Sequence, residues 1–198
     1  MTTQHRYYKK RPYYLIGMML VTLGVIIWFA QARGWLNSAG HQLVANQPGT
    51  YAVDHFVDGD TIAVNMNGAV EKVRFIGVDT PETHKPNTPV QCYGPNAAAY
   101  TQTRIGSQRV RLVSDPLSTD RDRYNRLLRY VYLSDGTNLN EALIQNGYGF
   151  YYPYFPFSKA TQFSADEQLA ISTHRGLWAA CKPTPTDEGG YVSNPINS

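Results

Sequence analysis

Four acidic side chains lie in two short segments of the sequence that have the character of turns. Asp58 and Asp60 flank a glycine in the segment DGDT, and Asp79 and Glu82 lie in the segment VDTPET. Carboxylates that converge repel one another and shift one another's pKa, so a cluster of four favours a hard cation such as Ca²⁺ with oxygen ligands. Asp-Gly and Thr-Pro pairs are also common in ordinary loops, so turn formation alone is the alternative interpretation.

Two arginines add a second kind of chemistry to these carboxylates. Arg74 lies five residues before Asp79, and Arg126 ends the segment DRDRYNR. A guanidinium is planar and permanently charged, so it suits a phosphodiester and the extra negative charge of its pentacoordinate transition state. The alternative for either arginine is an ion pair at the surface. Arg129, three residues further on, is expected to matter much less than Arg126.

Short runs with β-strand character surround these residues. Asn67-Gly68 favours a tight hairpin, and helices are predicted to start at Pro95, near Asn138 and after Ser158. The five predicted strands cover residues 51–57, 61–65, 70–78, 109–113 and 127–133. This order predicts an α+β fold in which a small five-stranded OB-type barrel carries about three packed helices.

The first 49 residues differ in composition from the body that follows. Residues 14–30 contain no charged side chain and would span about 25 Å as a transmembrane helix. The basic residues before this segment place residues 1–13 in the cytoplasm by the positive-inside rule, so the body is expected outside it, anchored to the cell membrane. Ala30-Gln31-Ala32 resembles a signal-peptidase site, which makes a secreted protein the alternative. Residues 31–49 are predicted to be a linker.

The charge of the body excludes general electrostatic adhesion to nucleic acid. The chain has 18 lysines and arginines against 15 aspartates and glutamates, a net charge of +3. Five of the basic residues precede residue 34, which leaves 13 basic against 15 acidic residues in the body. A polyanion bound there would therefore need a local cluster of basic residues and the help of a cation.

The two cysteines, Cys92 and Cys181, both lie in the part predicted to be exported. Their spacing fits no zinc motif, and an oxidising compartment permits a disulfide, with two unpaired buried thiols as the alternative. Residues 183–198 are rich in proline, glycine, serine and asparagine. That composition predicts a flexible tail after residue 182.

Several motifs in this order resemble the staphylococcal nuclease, or thermonuclease, family. They are DGDT, then IGVDTPET after Arg74, then DRYNRLLRYVY and LNEALIQNGYG, and the resemblance covers residues 51–178. It implies an OB-fold domain over residues 50–182 and a Ca²⁺-dependent hydrolase of broad specificity that cuts phosphodiester bonds in DNA and RNA. The metal ligands implied by the resemblance are Asp60, Asp79 and the carbonyl oxygen of Thr80.

The same resemblance implies roles for the remaining charged residues. Glu82 would contact a water near the metal and act as general base. Arg74 and Arg126 would bind the scissile phosphate, and Asp58 would orient the site. Asn125 stands where the family often has glycine, and asparagine tolerates the left-handed backbone of such a turn. A catalytically inactive nucleic-acid-binding module of the same fold is the rival hypothesis.

Residues 148–157 hold seven aromatic side chains in ten positions. Aromatic rings stack on bases without sequence preference, and by the same resemblance Tyr152 and Tyr154 are expected to flank a nucleotide. Core packing or a membrane-facing patch is the alternative. The protein is expected to act as a monomer.

Overall fold

The computed structural model describes residues 20–22, 49–84 and 88–196. The chain divides into two compact units, Met1–Val44 and Ala45–Ser198. The predicted membrane span 14–30 and the predicted linker 31–49 lie almost wholly outside the described residues. Among the residues that are described, no helix combines the length and the apolar character that crossing a membrane requires. The transmembrane segment therefore stays a prediction.

Five strands close into a barrel, which confirms the barrel predicted from the sequence. The strands in the described part of the chain are β1 (Thr50–Asp58), β2 (Thr61–Met66), β3 (Ala69–Phe75), β4 (Val78–Asp79), β5 (Val110–Val113), β6 (Leu127–Tyr132), β7 (Phe150–Tyr151), β8 (Thr184–Thr186) and β9 (Gly190–Val192). The order around the barrel is β1, β2, β3, β6 and β5, with β5 pairing back onto β1. The pair β3 and β6 is parallel, and the other four pairs are antiparallel.

Three helices begin where the sequence predicts them, and a fourth, shorter helix follows. The helices described within the body are α1 (Gly94–Ile105), α2 (Leu139–Gln145), α3 (Ala160–Ser172) and α4 (Leu177–Ala180). Pro95 lies in the first turn of α1. Backbone N–H groups in the first turn have no intrahelical acceptor, so the N–H that proline lacks costs the helix no hydrogen bond. Gly106, with φ of 54°, ends α1 by donating its N–H to the carbonyl oxygen of Gln102. A four-residue helix is too short to show periodicity, so α4 carries no sequence signal.

One buried asparagine joins α2 to the strands that carry the acidic segments. Asn140 is completely buried, and its Nδ2 donates to the carbonyl oxygens of Ile76 and Arg129 at 2.9 and 3.1 Å. Its Oδ1 accepts from the backbone N of Val131 at 2.9 Å. A buried amide that lost these partners would be costly, so this network fixes one arrangement of α2 against β6 and against the residues before β4.

The predicted strand 70–78 is divided in two by a turn, which corrects the sequence interpretation. β3 stays in the barrel, whereas β4 pairs with β7 outside it. Gly77 has φ of 74°, and a Cβ at that position would lie 2.5 Å from the ring of Phe157. Glycine alone meets both conditions, since it has no Cβ and adopts positive φ readily. The turn takes Asp79 away from the barrel wall.

The C-terminal segment forms a β-hairpin, so the prediction of a flexible tail is wrong for residues 183–196. β8 and β9 pair with each other. The ring of Tyr191 packs edge-on against Trp178, with centroids 4.9 Å apart, and stacks on Phe150 at 6.2 Å. One aromatic residue thus supplies packing that the overall composition of the segment conceals.

Cys92 and Cys181 form a disulfide, with their Cα atoms 6.0 Å apart. The bond joins the segment before α1 to the residue that follows α4. The alternative of two unpaired thiols is therefore wrong, and the cross-link ties the two ends of the helical part of the body together.

Removing this disulfide should lower the stability of the body. The two cysteines are 89 residues apart, and a cross-link over such a loop stabilises by about 4 to 5 kcal/mol in the chain-entropy model. We expect the double variant Cys92→Ser, Cys181→Ser to lose about 2 to 5 kcal/mol of unfolding free energy, measured in urea. Reductant should weaken the natural chain similarly and leave the double variant unchanged. Equal stability of the two chains would contradict this prediction.

Candidate active site

The two acidic segments meet at Asp60. This residue lies between β1 and β2 and is only 6% exposed. Its Oδ2 accepts from the backbone N of Thr80 at 2.8 Å, and its Oδ1 accepts from Thr61 Oγ1 at 2.8 Å. The hydrogen bond to Thr80 spans 20 residues of sequence and joins the DGDT turn to the VDTPET segment. The convergence of these segments, predicted from the sequence, is confirmed.

Arg74 lies between the acidic residues and forms ion pairs with two of them. Its Nη1 is 3.2 Å from Asp60 Oδ2, and its Nη2 donates to Asp79 Oδ1 at 2.6 Å. Nη1 also donates to the carbonyl oxygen of Val78 at 2.5 Å. Burial lowers the pKa of Arg74, but Asp60, Asp79, Tyr152 and Glu82 outweigh that effect and raise its pKa above the ordinary value. The guanidinium is therefore permanently charged and held in one orientation.

Asp58 holds the residue that follows Glu82. Its Oδ1 accepts from Thr83 Oγ1 at 2.9 Å, and its Oδ2 accepts from the backbone N of Thr83 at 3.3 Å. Its Oδ1 also accepts from the backbone N of Gly59 at 2.9 Å. These contacts place Asp58 beside the loop that follows Glu82, not at the centre of the acidic cluster. A position beside the loop suits a residue that orients the site.

Gln91 is a contact of Glu82 for which the sequence gives no signal. The backbone N of Glu82 donates to Gln91 Oε1 at 2.8 Å, and the backbone N of Gln91 donates to the carbonyl oxygen of Glu82 at 2.9 Å. Both backbone polar groups of Glu82 are thus bound by one residue. A glutamine nine positions away belongs to no motif, so spacing alone does not find it.

Arg126 lies just before β6, in a turn that fixes it through Asp122. Its Nε donates to Asp122 Oδ2 at 2.6 Å, and its guanidinium carbon lies 5.4 Å from the ring centre of Tyr124. Asn125 has φ of 64°, so the asparagine adopts the left-handed backbone that was expected of it. Among the described residues, Nη1 and Nη2 of Arg126 have no hydrogen-bond acceptor. Those two nitrogens are available to an anion.

Arg129, which is expected to matter much less than Arg126 for catalysis, is buried in the structure. Its side chain is 1% exposed, and its Nη2 donates to Asp120 Oδ1 at 2.6 Å. Nη1 donates to the carbonyl oxygens of Leu128 and Asp120 at 2.7 and 3.2 Å. Removing a buried, fully bonded guanidinium leaves its partner uncompensated, so Arg129→Ala would damage the fold and is unsuitable as a control.

The aromatic stretch 148–157 is divided between the core and the site. Phe150 and Phe157 are buried, so core packing accounts for part of the stretch. The ring centre of Tyr152 lies 5.7 Å from the guanidinium carbon of Arg74 and 4.7 Å from the ring centre of Tyr154. Burial and the nearby Asp79 raise the pKa of Tyr152. Tyr152 therefore borders the acidic cluster.

Tyr154 is bound to the C-terminal hairpin. Its hydroxyl lies 2.8 Å from Thr186 Oγ1 in β8. The hairpin thus holds one of the two tyrosines that the resemblance places beside a nucleotide, and the other packs edge-on against it.

The donor set around Arg74 fits a hard divalent cation. Three carboxylates, those of Asp60, Asp79 and Glu82, act on one guanidinium, so the negative charges exceed the positive charge by two. Oxygen is the ligand atom that Ca²⁺ and Mg²⁺ prefer. Thr80 Oγ1 is also buried here and has no hydrogen-bond partner in the described residues. Within those residues no three His, Cys, Asp or Glu side chains are placed to hold a metal ion together.

Glu167 is a buried acid that the sequence does not single out. It lies in α3, is 4% exposed, and accepts from the backbone N of Tyr151 at 2.9 Å. Burial raises the pKa of Glu167 from 4.5 to about 7, with the hydrogen bond acting in the opposite direction. The folded state therefore binds this proton more tightly than the unfolded chain does.

Replacing Glu167 should increase stability in a pH-dependent way. The stability due to this group is complete below pH 4.5 and is lost as the pH rises through about 7, because ionisation then opposes burial. We expect Glu167→Gln to raise the unfolding free energy by about 2 to 3 kcal/mol more at pH 8 than at pH 5, measured in urea. The exposed Glu188→Gln is the control. A gain from Glu167→Gln that does not change with pH would exclude the raised pKa.

The comparisons with known proteins agree with this geometry. A family model described as "Staphylococcal nuclease homologue" matches residues 72–180. The Thermonuclease of Staphylococcus hyicus is 38% identical over 169 residues, which cover 82% of this chain and 96% of that protein. Two Bacillus subtilis proteins, the SPbeta prophage-derived endonuclease YokF and Endonuclease YncB, are each 40% identical over 144 residues. Those matches cover 72% of this chain, 45% of YokF and 64% of YncB. The chain belongs to the staphylococcal nuclease family.

Proposed function

We propose that this protein is a nuclease that hydrolyses phosphodiester bonds of DNA, RNA or both with broad specificity. The observation that carries the proposal is the position of Arg74, a charged guanidinium fixed between Asp60 and Asp79 with Glu82 in its field. Such an arrangement supplies a phosphate-binding cation next to oxygen ligands for a metal. The relatives named thermonuclease and endonuclease support the same activity.

The cofactor that we propose is Ca²⁺, held by the carboxylates of Asp60 and Asp79 and by the carbonyl oxygen of Thr80. When bound, the cation would polarise a phosphoryl oxygen and offset the excess negative charge of the cluster. Asp58 would act indirectly, because its hydrogen bonds go to Thr83 and Gly59 and fix the neighbouring loop.

The protein's own side chains would divide the remaining work. Glu82 would orient the attacking water and accept its proton. Arg74 would bind a non-bridging phosphate oxygen. Arg126 would keep its Nε on Asp122 and donate from Nη1 and Nη2 to the phosphate, so that its charge meets the charge that develops during the reaction. Tyr152 and Tyr154 would stack beside the nucleotide.

Digestion of defined substrates by the full chain tests this proposal. Single-stranded DNA, duplex DNA and RNA are incubated with the protein and Ca²⁺, and a closed circular DNA separates internal cleavage from cleavage at ends. We expect cleavage of at least one polymer, and loss of that cleavage in Glu82→Ala. Binding of all the polymers without cleavage would instead favour the inactive binding module.

We further propose that the protein is a monomer anchored by residues 14–30, with residues 1–13 in the cytoplasm and the body outside it. The disulfide between Cys92 and Cys181 supports an oxidising compartment for the body. Fractionation of cells, with mass measurement of the product, tests this location. A membrane-bound chain of full mass supports the anchor, and a soluble product that begins at Arg33 supports secretion after cleavage.

A further inference from the structure

The backbone of Glu82 is connected to residues 193–196 through residues 90–92. Gln91 faces Glu82, whereas its neighbours Val90 and Cys92 face residues 193–196. Glu82 N donates to Gln91 Oε1 at 2.8 Å, and Gln91 N donates to Glu82 O at 2.9 Å. Because both bonds act on the main chain, they fix where the Glu82 side chain leaves the backbone.

The C-terminal residues bind the opposite edge of this segment. Cys92 N donates to Asn194 O at 2.7 Å, and Ile196 N donates to Val90 O at 3.0 Å. Ser193 Oγ donates to the carbonyl oxygen of Cys92 at 2.8 Å. Gln91 and Pro195 are paired as an antiparallel bridge. Residues 90–92 thus lie between Glu82 on one edge and residues 193–196 on the other.

Two covalent and steric features leave this arrangement little freedom. The disulfide fixes Cys92 to the end of α4, next to the start of the C-terminal segment. A Cβ at Gly94 would lie 2.9 Å from the carbonyl oxygen of Glu82 and 3.0 Å from that of Pro81, so the loop is packed directly against the start of α1. On its other side, Asp58 holds Thr83.

We propose that Gln91 is a positioning residue for Glu82, and that residues 193–196 hold Gln91 in place. This inference rests on the proposed function, in which Glu82 orients the attacking water. Residues 193–196 lie beyond the region 72–180 that matches the family model. We call the support that residues 193–196 give to Gln91 the brace. A displacement of about 1 Å at a reacting group is enough to change a rate by up to about 100-fold.

Kinetics of Gln91 variants test the role of this residue. We expect Gln91→Ala to lower kcat by about 10- to 100-fold with little change in KM, because the substrate contacts of Arg74 and Arg126 are kept. Gln91→Glu keeps an oxygen acceptor for Glu82 N and should restore much of the rate. The exposed Gln102→Ala is the control, and thermal melts of all variants monitor folding. An unchanged kcat in Gln91→Ala would overturn the proposal.

A double-variant cycle separates positioning from a general loss of structure. If Gln91 acts through the Glu82 side chain, adding Gln91→Ala to Glu82→Ala should lower the residual rate by no more than about twofold. A damaged fold would instead multiply the two effects. Full multiplication would therefore show that Gln91 does not work through Glu82.

Amide hydrogen exchange tests the role of residues 193–196 without any assay of activity. The variant Ile196→Pro removes the N–H that donates to Val90 O. We expect the Glu82 amide to exchange at least about tenfold faster in this variant, and faster still in Gln91→Ala, while the amide of Val131 in the core is unchanged. Equal exchange at Glu82 in all three chains would overturn the brace. A chain that cleaves no nucleic acid but shows this exchange pattern would refute the proposed function and leave the brace standing.

Discussion

Cleavage of nucleic acid by this chain should stop in excess chelator and return when Ca²⁺ is added. Three carboxylates act on Arg74, and one guanidinium offsets only one of their charges. A phosphate that approaches such a cluster meets net negative charge unless a divalent cation is present. We expect the initial rate in excess chelator to fall below about one hundredth of the rate in Ca²⁺, measured with a labelled oligonucleotide.

Titration of the metal gives this prediction its control. Asp79→Asn removes one of the charged oxygen ligands that we propose and should raise the Ca²⁺ concentration that gives the half-maximal rate. Glu188→Gln, an exposed change in the turn between β8 and β9, should leave that concentration unchanged. Undiminished cleavage in excess chelator would refute the metal assignment, even though the nuclease activity itself would be demonstrated.

The barrel could be predicted from the sequence because its strands and turns are marked by patterns among residues that are close together in the chain. Alternating apolar residues mark its strands, and Asn67-Gly68 lies in the hairpin turn between β2 and β3 with φ of 54° and 90°. The division of the third run at Gly77 could not be predicted in this way. It depends on Phe157, which is 80 residues away in the sequence and fills the space that a side chain at Gly77 would need.

The acidic cluster was predicted for a different reason, namely that motifs place charged residues at the ends of neighbouring strands. Arg74, Asp60 and Asp79 are brought together as expected. Gln91 and Glu167 were not predicted, because they accept hydrogen bonds from the backbone N–H groups of Glu82 and Tyr151, and a backbone N–H is present whatever the side chain is. The composition of residues 183–196 predicted a flexible tail, but this segment forms a β-hairpin. The packing of Tyr191 against Phe150 and Trp178 outweighs the segment's high content of turn-forming residues.

The surroundings of Arg126 and Arg129 also could not be predicted from the sequence pattern. Arg126 and Arg129 are three residues apart in one motif. Arg126 has two nitrogens, Nη1 and Nη2, without an acceptor among the described residues, whereas Arg129 is buried against Asp120. Arg126 lies in the turn just before strand β6, whereas Arg129 lies within the strand at a buried position. The structure therefore also supplies the proper control for Arg126. Arg111 is an exposed strand arginine whose guanidinium carbon lies 4.4 Å from the ring centre of Tyr132.

Replacing Arg126 should then lower the rate of cleavage far more than replacing Arg111. We expect Arg126→Ala to lower kcat by at least about 100-fold, since removing one donor that meets developing charge costs about 3 to 4 kcal/mol, and Arg111→Ala by less than about twofold. Arg126→Lys should restore little, because an ammonium cannot bond Asp122 through one nitrogen and offer two others to a phosphate. Similar rates for Arg126→Ala and Arg111→Ala would mean that the phosphate is bound elsewhere. The acidic cluster alone would then have to account for catalysis.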